Sequence, residues 1–134
     1  MAICEKYGWH KPLADQCEYH AIVRTNVEKE LYTVFDKFKY GTTVYSPLAG
    51  GLLSGKYNDG NFPEGSWYEK DPFSKGAILS RFVNPANKEK NFKLLNDVAT
   101  LAKNIGCSQA QLCLAWVIVN KDVSTCIFGA SRVE

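Results

Sequence analysis

The densest chemistry in this 134-residue chain lies in Tyr45-Ser46-Pro47-Leu48-Ala49-Gly50-Gly51-Leu52-Leu53-Ser54-Gly55-Lys56-Tyr57. Thr42, Thr43 and Val44 precede it, so a β-branched strand delivers an aromatic ring, a Ser-Pro turn, two glycines and a lysine to one loop. Backbone without side chains can approach a ligand closely, and Lys56 adds positive charge. Two further segments carry candidate groups: Gln16-Cys17-Glu18-Tyr19-His20, and Gly129-Ala130-Ser131-Arg132.

Gly50 through Lys56 fits the spacing of a phosphate loop, G-x-x-x-x-G-K. Such a loop requires Ser or Thr next, for magnesium, and a helix whose N-terminus receives the phosphate. Tyr57 follows instead, and Asn58-Asp59-Gly60 opposes a helix. The G-x-G-x-x-G fingerprint of a dinucleotide-binding turn is absent. Ser46 has no G-x-S-x-G setting, and Pro47 is wrong for a nucleophile elbow. His20 follows a strand, so position alone makes it a candidate for chemistry. His10 sits in a surface-like Gly-Trp-His-Lys-Pro turn.

The elements that must position these groups alternate helix and strand. Residues 2–7 read as a helix stopped by Gly8, and 13–19 as a strand. Thr25 and Glu28 have capping-box spacing, opening a helix with Val27, Leu31, Val34, Phe35 and Phe38 on one face. Gly41 is the expected stop, and 42–45 the second strand. From 58 to 87 the pattern dissolves, with Pro63, Pro72 and Pro85 and Gly60, Gly65 and Gly76. So long an irregular segment implies a lid or a ligand-covering loop. Phe92, Leu95, Val98, Ala99, Ala102 and Ile105 then share a helix face ended by Gly106. Ser108 and Gln111 form a second capping box, before a run at 112–119 that is apolar nearly all round and expected to be buried on most sides. Residues 125–128 are the third strand.

Repeated parallel crossovers of this kind imply an α/β fold, a doubly wound sheet or a (β/α)₈ barrel. A barrel takes ~250 residues, and about three of its eight strands are here. The expectation is therefore one partial barrel domain over residues 1–134, a fragment or truncated product. The open strand edges of such a piece favour self-association.

Composition excludes several classes. Hydrophobic residues make up 46%, charged ones 22%, and the net charge is +2. No window clusters basic residues as a nucleic-acid footprint would. The apolar run at 112–119 is far short of the ~20 residues that span a bilayer, so no membrane insertion is expected. The five cysteines form no C-x-x-C pair and no zinc pattern. Buried, reduced thiols in a cytoplasmic protein are the plain reading.

The string YSPLAGGLLSGKY closely resembles the loop after strand six of the aldo-keto reductases, within them most like the branch holding the beta subunits of voltage-gated potassium channels and their microbial relatives. The resemblance covers most of the chain, weakest from 67 to 86, and places it at about strands 5 to 7 of the barrel. It implies an NADPH cofactor across the carboxyl ends of the strands. In that frame Gln16 hydrogen-bonds the nicotinamide carboxamide and Tyr45 stacks on the nicotinamide ring. Ser46, Pro47, Leu48, Ala49 and Gly50 fold over the pyrophosphate, with charge from Lys56. Gly129, Ser131 and Arg132 match the G-x-S-[RN] loop that takes the adenosine 2′-phosphate, where arginine's fork favours NADPH over NADH. Taken alone, each residue also fits a structural role: Tyr45 a core aromatic, Gln16 a satisfied strand residue, Lys56 and Arg132 solvated charges. Jointly, three strand-end segments fit one ligand in the right order.

Two departures stand out. Where the family often reads G-S-R, this chain has Gly65-Ser66-Trp67, and tryptophan cannot pair with phosphate. The family loop also continues beyond Arg132 with a glutamine and a Glu-Asn pair, which this sequence does not reach. The resemblance places the catalytic tyrosine, lysine, aspartate and histidine or asparagine on earlier strands, so no catalytic residue is assigned here. Glu18-Tyr19-His20 matches the family's E-Y-[NH] strand end, a structural role. The implied activity is carbonyl reduction of a small aldehyde or ketone by the whole protein, with this chain alone inactive. Docking to a potassium channel, as an accessory subunit, is the alternative.

Overall fold

A computed structural model describes residues 1–130. Three short strands form one parallel sheet in the order β1 (Asp15–Glu18), β2 (Thr42–Tyr45), β3 (Val123–Ile127). Helix α1 (Ala2–Tyr7) precedes them and ends at Gly8, whose φ of 66° is the left-handed cap expected there. The β1–β2 crossover is a π-helical turn (Asn26–Glu30) and α2 (Tyr32–Phe38). The longer β2–β3 crossover holds a 3₁₀ turn (Ala49–Ser54), α3 (Trp67–Lys70), α4 (Pro72–Phe82), α5 (Lys88–Ile105) and α6 (Gln109–Ile118).

Strand register decides which side of the sheet is covered. Cys17, Val44 and Cys126 pair across the three strands and share one face. That face packs with Val27, Phe35 and Val117 of the flanking helices into one apolar cluster. Thr43 pairs with Gln16 and Thr125, and Tyr45 with Glu18 and Ile127, on the opposite face. There Gln16, Tyr45, Thr125 and Ile127 are exposed. A second core joins Ala49, Leu52, Leu53, Tyr57, Tyr68, Phe82, Leu95 and Cys113, and roots the long crossover.

Several local expectations are corrected. Thr25 is no N-cap: its φ/ψ of −57°/−42° is already helical and its side chain caps nothing. Glu28 instead accepts from Arg24 Nε and Nη2, each at 2.8 Å, and from the Tyr19 hydroxyl at 2.9 Å. The expected single helix is split by the π turn, and Lys39 (φ 56°) stops α2 before Gly41. Gly41 is needed for close approach, since a Cβ there would lie 2.5 Å from Ser124 Oγ and 2.7 Å from the Asp122 carbonyl oxygen. The first strand is shorter than 13–19, with Leu13 outside the ladder and exposed. The segment 58–87 is not irregular throughout: the Asp71 carboxylate accepts from Ser74 N–H at 3.1 Å and Pro72 opens an eleven-residue helix, α4. The Ser108–Gln111 capping box forms as expected. Helix α6, however, buries only Gln109, Cys113 and Val117, while Ile118 and Val119 are 59% and 79% exposed.

Candidate functional site

The carboxyl ends of β1 and β2 bring the candidate groups together. Tyr45 ends the central strand on the uncovered face and is 43% exposed. Gln16 is exposed on the neighbouring strand, level with Thr43, two residues below Tyr45. The two residues thus expose an aromatic ring and a carboxamide on the same face of the sheet.

The loop after Tyr45 is tightly wound. Ser46 and Ala49 take positive φ (53° and 50°), unusual for residues with a Cβ. Gly50 (φ 64°) and Gly51 (φ 96°) continue the left-handed path. Ala49 N–H donates to the Ser46 carbonyl at 2.8 Å, and Gly51 and Leu53 both donate to that of Leu48, at 2.9 and 3.0 Å. Buried Pro47, Ala49, Leu52 and Leu53 hold the turn down, while Leu48 and Gly50 stay partly open. Strained backbone over-determined by packing is common at ligand-binding turns. Glycine at position 50 also serves packing: a Cβ there would meet Ile78 Cδ1 at 2.9 Å and Trp67 Cζ3 at 3.7 Å. Lys56 is exposed just after Gly55. From Ala49 the loop winds into a 3₁₀ turn and not into an α-helix.

The third segment is only partly placed. Gly129 is exposed beyond β3, whereas Ser131 and Arg132 lie outside the described residues.

Sequence reasoning missed one cluster. Glu18 is nearly buried at the end of β1 and accepts from Arg81 of α4, Nη2 to Oε2 at 2.6 Å and Nη1 to Oε1 at 3.3 Å. Fully buried His20 lies beside it, with Nε2 3.2 Å from Glu18 Oε1. The amides of Ile22 and Val23 both point at His20 Nδ1, at 3.3 Å. Nδ1 is thus the acceptor and Nε2 carries the proton. Burial lowers the His20 pKa, with Glu18 offsetting this only in part. Burial would raise that of Glu18, but the hydrogen bonds from Arg81 and His20 outweigh it and keep the carboxyl ionised. Both ring nitrogens of His20 are thus engaged within the fold. Tyr19 bridges Glu28 and Asn120, which donates to its hydroxyl at 3.0 Å, and stacks on Trp116 at 5.1 Å. Nothing local in the sequence marks Arg81, which lies sixty-three residues from Glu18 on a helix that begins inside a Pro- and Gly-rich segment.

Among the described residues no three His, Cys, Asp or Glu side chains gather as a metal site, and no helix is long and apolar enough to cross a membrane. All five cysteines are free thiols. Cys17 and Cys113 are buried, and burial raises the Cys113 thiol to about 11.

Comparison with known proteins bears on the family and the fold. A protein of Schizosaccharomyces pombe named "Putative voltage-gated potassium channel subunit beta" is 39% identical over 98% of this chain. A rice protein (Oryza sativa subsp. japonica) named "Probable voltage-gated potassium channel subunit beta" is 34% identical over 90%. The chain spans 37% and 35% of the lengths of these relatives. The solved structure of a glycerol dehydrogenase from Gluconobacter oxydans superimposes with a TM-score of 0.61 at 26% identity, over 84% of this chain and 32% of that one. The family model described as "Aldo/keto reductase family" matches residues 1–134. The chain belongs to the aldo/keto reductase family.

Proposed function

We propose that this chain forms part of the NADPH-binding face of an aldo-keto reductase barrel, whose whole protein reduces small aldehydes or ketones. The observation that carries the reading is the exposed Tyr45 ring at the end of the central strand, flanked by Gln16 and by the strained Ser46–Gly50 turn. When bound, the cofactor supplies hydride to a carbonyl carbon. Tyr45 holds the nicotinamide ring flat and leaves its other side open to substrate. Gln16 fixes the ring's rotation by hydrogen-bonding its carboxamide. The turn from Ser46 to Gly50 wraps the pyrophosphate, and Lys56 contributes charge. Gly129, Ser131 and Arg132 take the 2′-phosphate. Trp67, beside Gly50, covers this region without supplying a cation, which weakens phosphate binding. Proton donation to the substrate falls to residues outside this chain.

Parallel sheets are ordinarily covered on both faces. The uncovered face with Gln16, Tyr45 and Ile127 fits the interior of a closed barrel, completed by further strands. The test is a fluorescence titration with NADPH and NADH. It is run on the chain alone and on the chain supplemented with the segments of the fission-yeast relative that it does not span. Tight binding only in the mixture, with NADPH preferred, supports the reading; binding in neither, with both pieces folded, overturns it.

A second reading is favoured by the names of the two relatives: an accessory subunit of a voltage-gated potassium channel, docking through the outside of the same barrel. Co-purification of the complete protein with a channel, together with negligible carbonyl-dependent NADPH oxidation, would favour docking over reduction.

A further inference from the structure

Helix α4 is held over the sheet end by its last turn. Its first turns are loosely attached, with Phe73 87% exposed and Gly76 exposed. Its final residues grip the end of β1 and the segment just after it. Arg81 makes the two-pronged contact with Glu18, and Phe82 sets its ring edge-on to His20 at 5.6 Å. The Arg81 guanidinium also lies over the Phe82 ring, 4.7 Å from its centre. Asn91 locks the turn from behind, donating to the Phe82 carbonyl at 2.8 Å, and Asn87 donates to that of Arg81 at 2.9 Å. One turn earlier, Ile78 lies against Gly50, and Trp67 of α3 stands beside it. The sheet end, the helix and the strained turn are therefore mechanically linked.

We propose that Arg81 is a positioning residue: by clamping α4 to Glu18 it fixes the wall that Ile78 and Trp67 form over the Leu48–Gly50 turn. This rests on the reading of that turn as the pyrophosphate loop. Glu18 is level with Tyr45 in the β1–β2 register, so the clamp closes the strand end that carries the stacking ring. A bidentate arginine suits this task, because two parallel hydrogen bonds fix orientation as well as distance. Lysine would keep the charge and lose the fork.

The experiment measures amide hydrogen exchange and NADPH affinity together, on the chain supplemented with the remaining barrel segments, for wild type, R81K and R81M. The methionine variant keeps the length of the apolar stem and removes the fork. Exchange at residues 73–80 should rise about tenfold in R81M, as expected when a marginal local unit loses its main anchor. Amides of β2 and α5 should be unchanged. NADPH should bind several-fold more weakly in R81M, and R81K should recover part of both losses. Wild-type exchange in R81M overturns the clamp. Faster exchange with unaltered NADPH affinity overturns the positioning role. Faster exchange with no NADPH binding by wild type leaves the clamp standing and refutes the cofactor reading instead. If R81M does not fold, R81K carries the same comparison.

Discussion

Glu18 and Arg81, sixty-three residues apart, meet at 2.6 Å where the end of β1 receives the last turn of α4. The carboxylate is almost inaccessible, while the arginine side chain is 49% exposed. Such a half-buried pair does more for geometry than for net stability, since desolvation of the acid offsets much of the attraction. The buried imidazole of His20 completes the set, donating its single proton to the same carboxylate.

Acid should weaken the fold through these two groups. The folded pKa of His20 is depressed by burial from its ordinary 6.5. The unfolded chain therefore binds a proton that the native one refuses, and the His20 contribution, full above about pH 6.5, is lost progressively below it. The folded pKa of Glu18 is also below its ordinary 4.5. Its contribution is present above that value and is lost as pH falls through the lower, native one. Urea midpoints measured from pH 7.5 to 3.5 should thus decline in two stages, and His20→Asn should flatten the upper stage. A constant midpoint between pH 7.5 and 5 in the parent sequence would rule this out.

Gly41→Ala should destabilise the fold without touching the candidate site. The added methyl would overlap the Asp122 carbonyl and the Ser124 hydroxyl where β2 meets the approach to β3. Ser124 can rotate away but the backbone oxygen cannot, so a loss of about 1–3 kcal/mol is expected in chemical denaturation. Loss of the Ser108 cap by Ser108→Ala, at the far end of α6, should cost about 1 kcal/mol in the same assay.

Tyr45→Ala should separate binding from stability. The residue is 43% exposed, so removing its ring should leave the denaturation midpoint almost unchanged. If the ring seats nicotinamide, NADPH binding to the completed barrel should weaken by about tenfold, roughly 1.4 kcal/mol, and Tyr45→Phe should restore most of it. Equal affinity in wild type and Tyr45→Ala would remove Tyr45 from the site.

Local signals were legible wherever neighbouring residues decide the outcome. Gly8, the Ser108–Gln111 box and the β-branched run into Tyr45 each specify their own geometry, and the strand-end loop announced itself through paired glycines. Long-range partners were not legible. The Thr25–Glu28 spacing is sound, yet Arg24 and Tyr19 compete for Glu28 and win it. The prolines and glycines of 58–87 suggested disorder of pattern, although Asp71-Pro72 is itself a helix start. Arg81 looks like one more solvated cation until α4 is formed and its end is brought to Glu18.

The outer apolar surfaces lead to the last prediction. Among the described residues, strands β1 and β3 each have one unpaired edge, and Tyr45 and Ile127 stand exposed on one face of the sheet. Helix α6 leaves Ile118 and Val119 in solvent, although its sequence reads as a helix buried on most sides. Unpaired edges offer ladder hydrogen bonds to any second strand, and apolar surface beside them adds a driving force that grows with the area removed from water. The chain by itself should therefore self-associate, with sedimentation velocity shifting to larger species as concentration rises. The barrel segments of the fission-yeast relative that this chain does not span should convert these into a single 1:1 complex, because pairing both edges internally leaves nothing to template further addition. A well-folded monomer at every concentration would show instead that three strands and their helices suffice, and would sink the prediction.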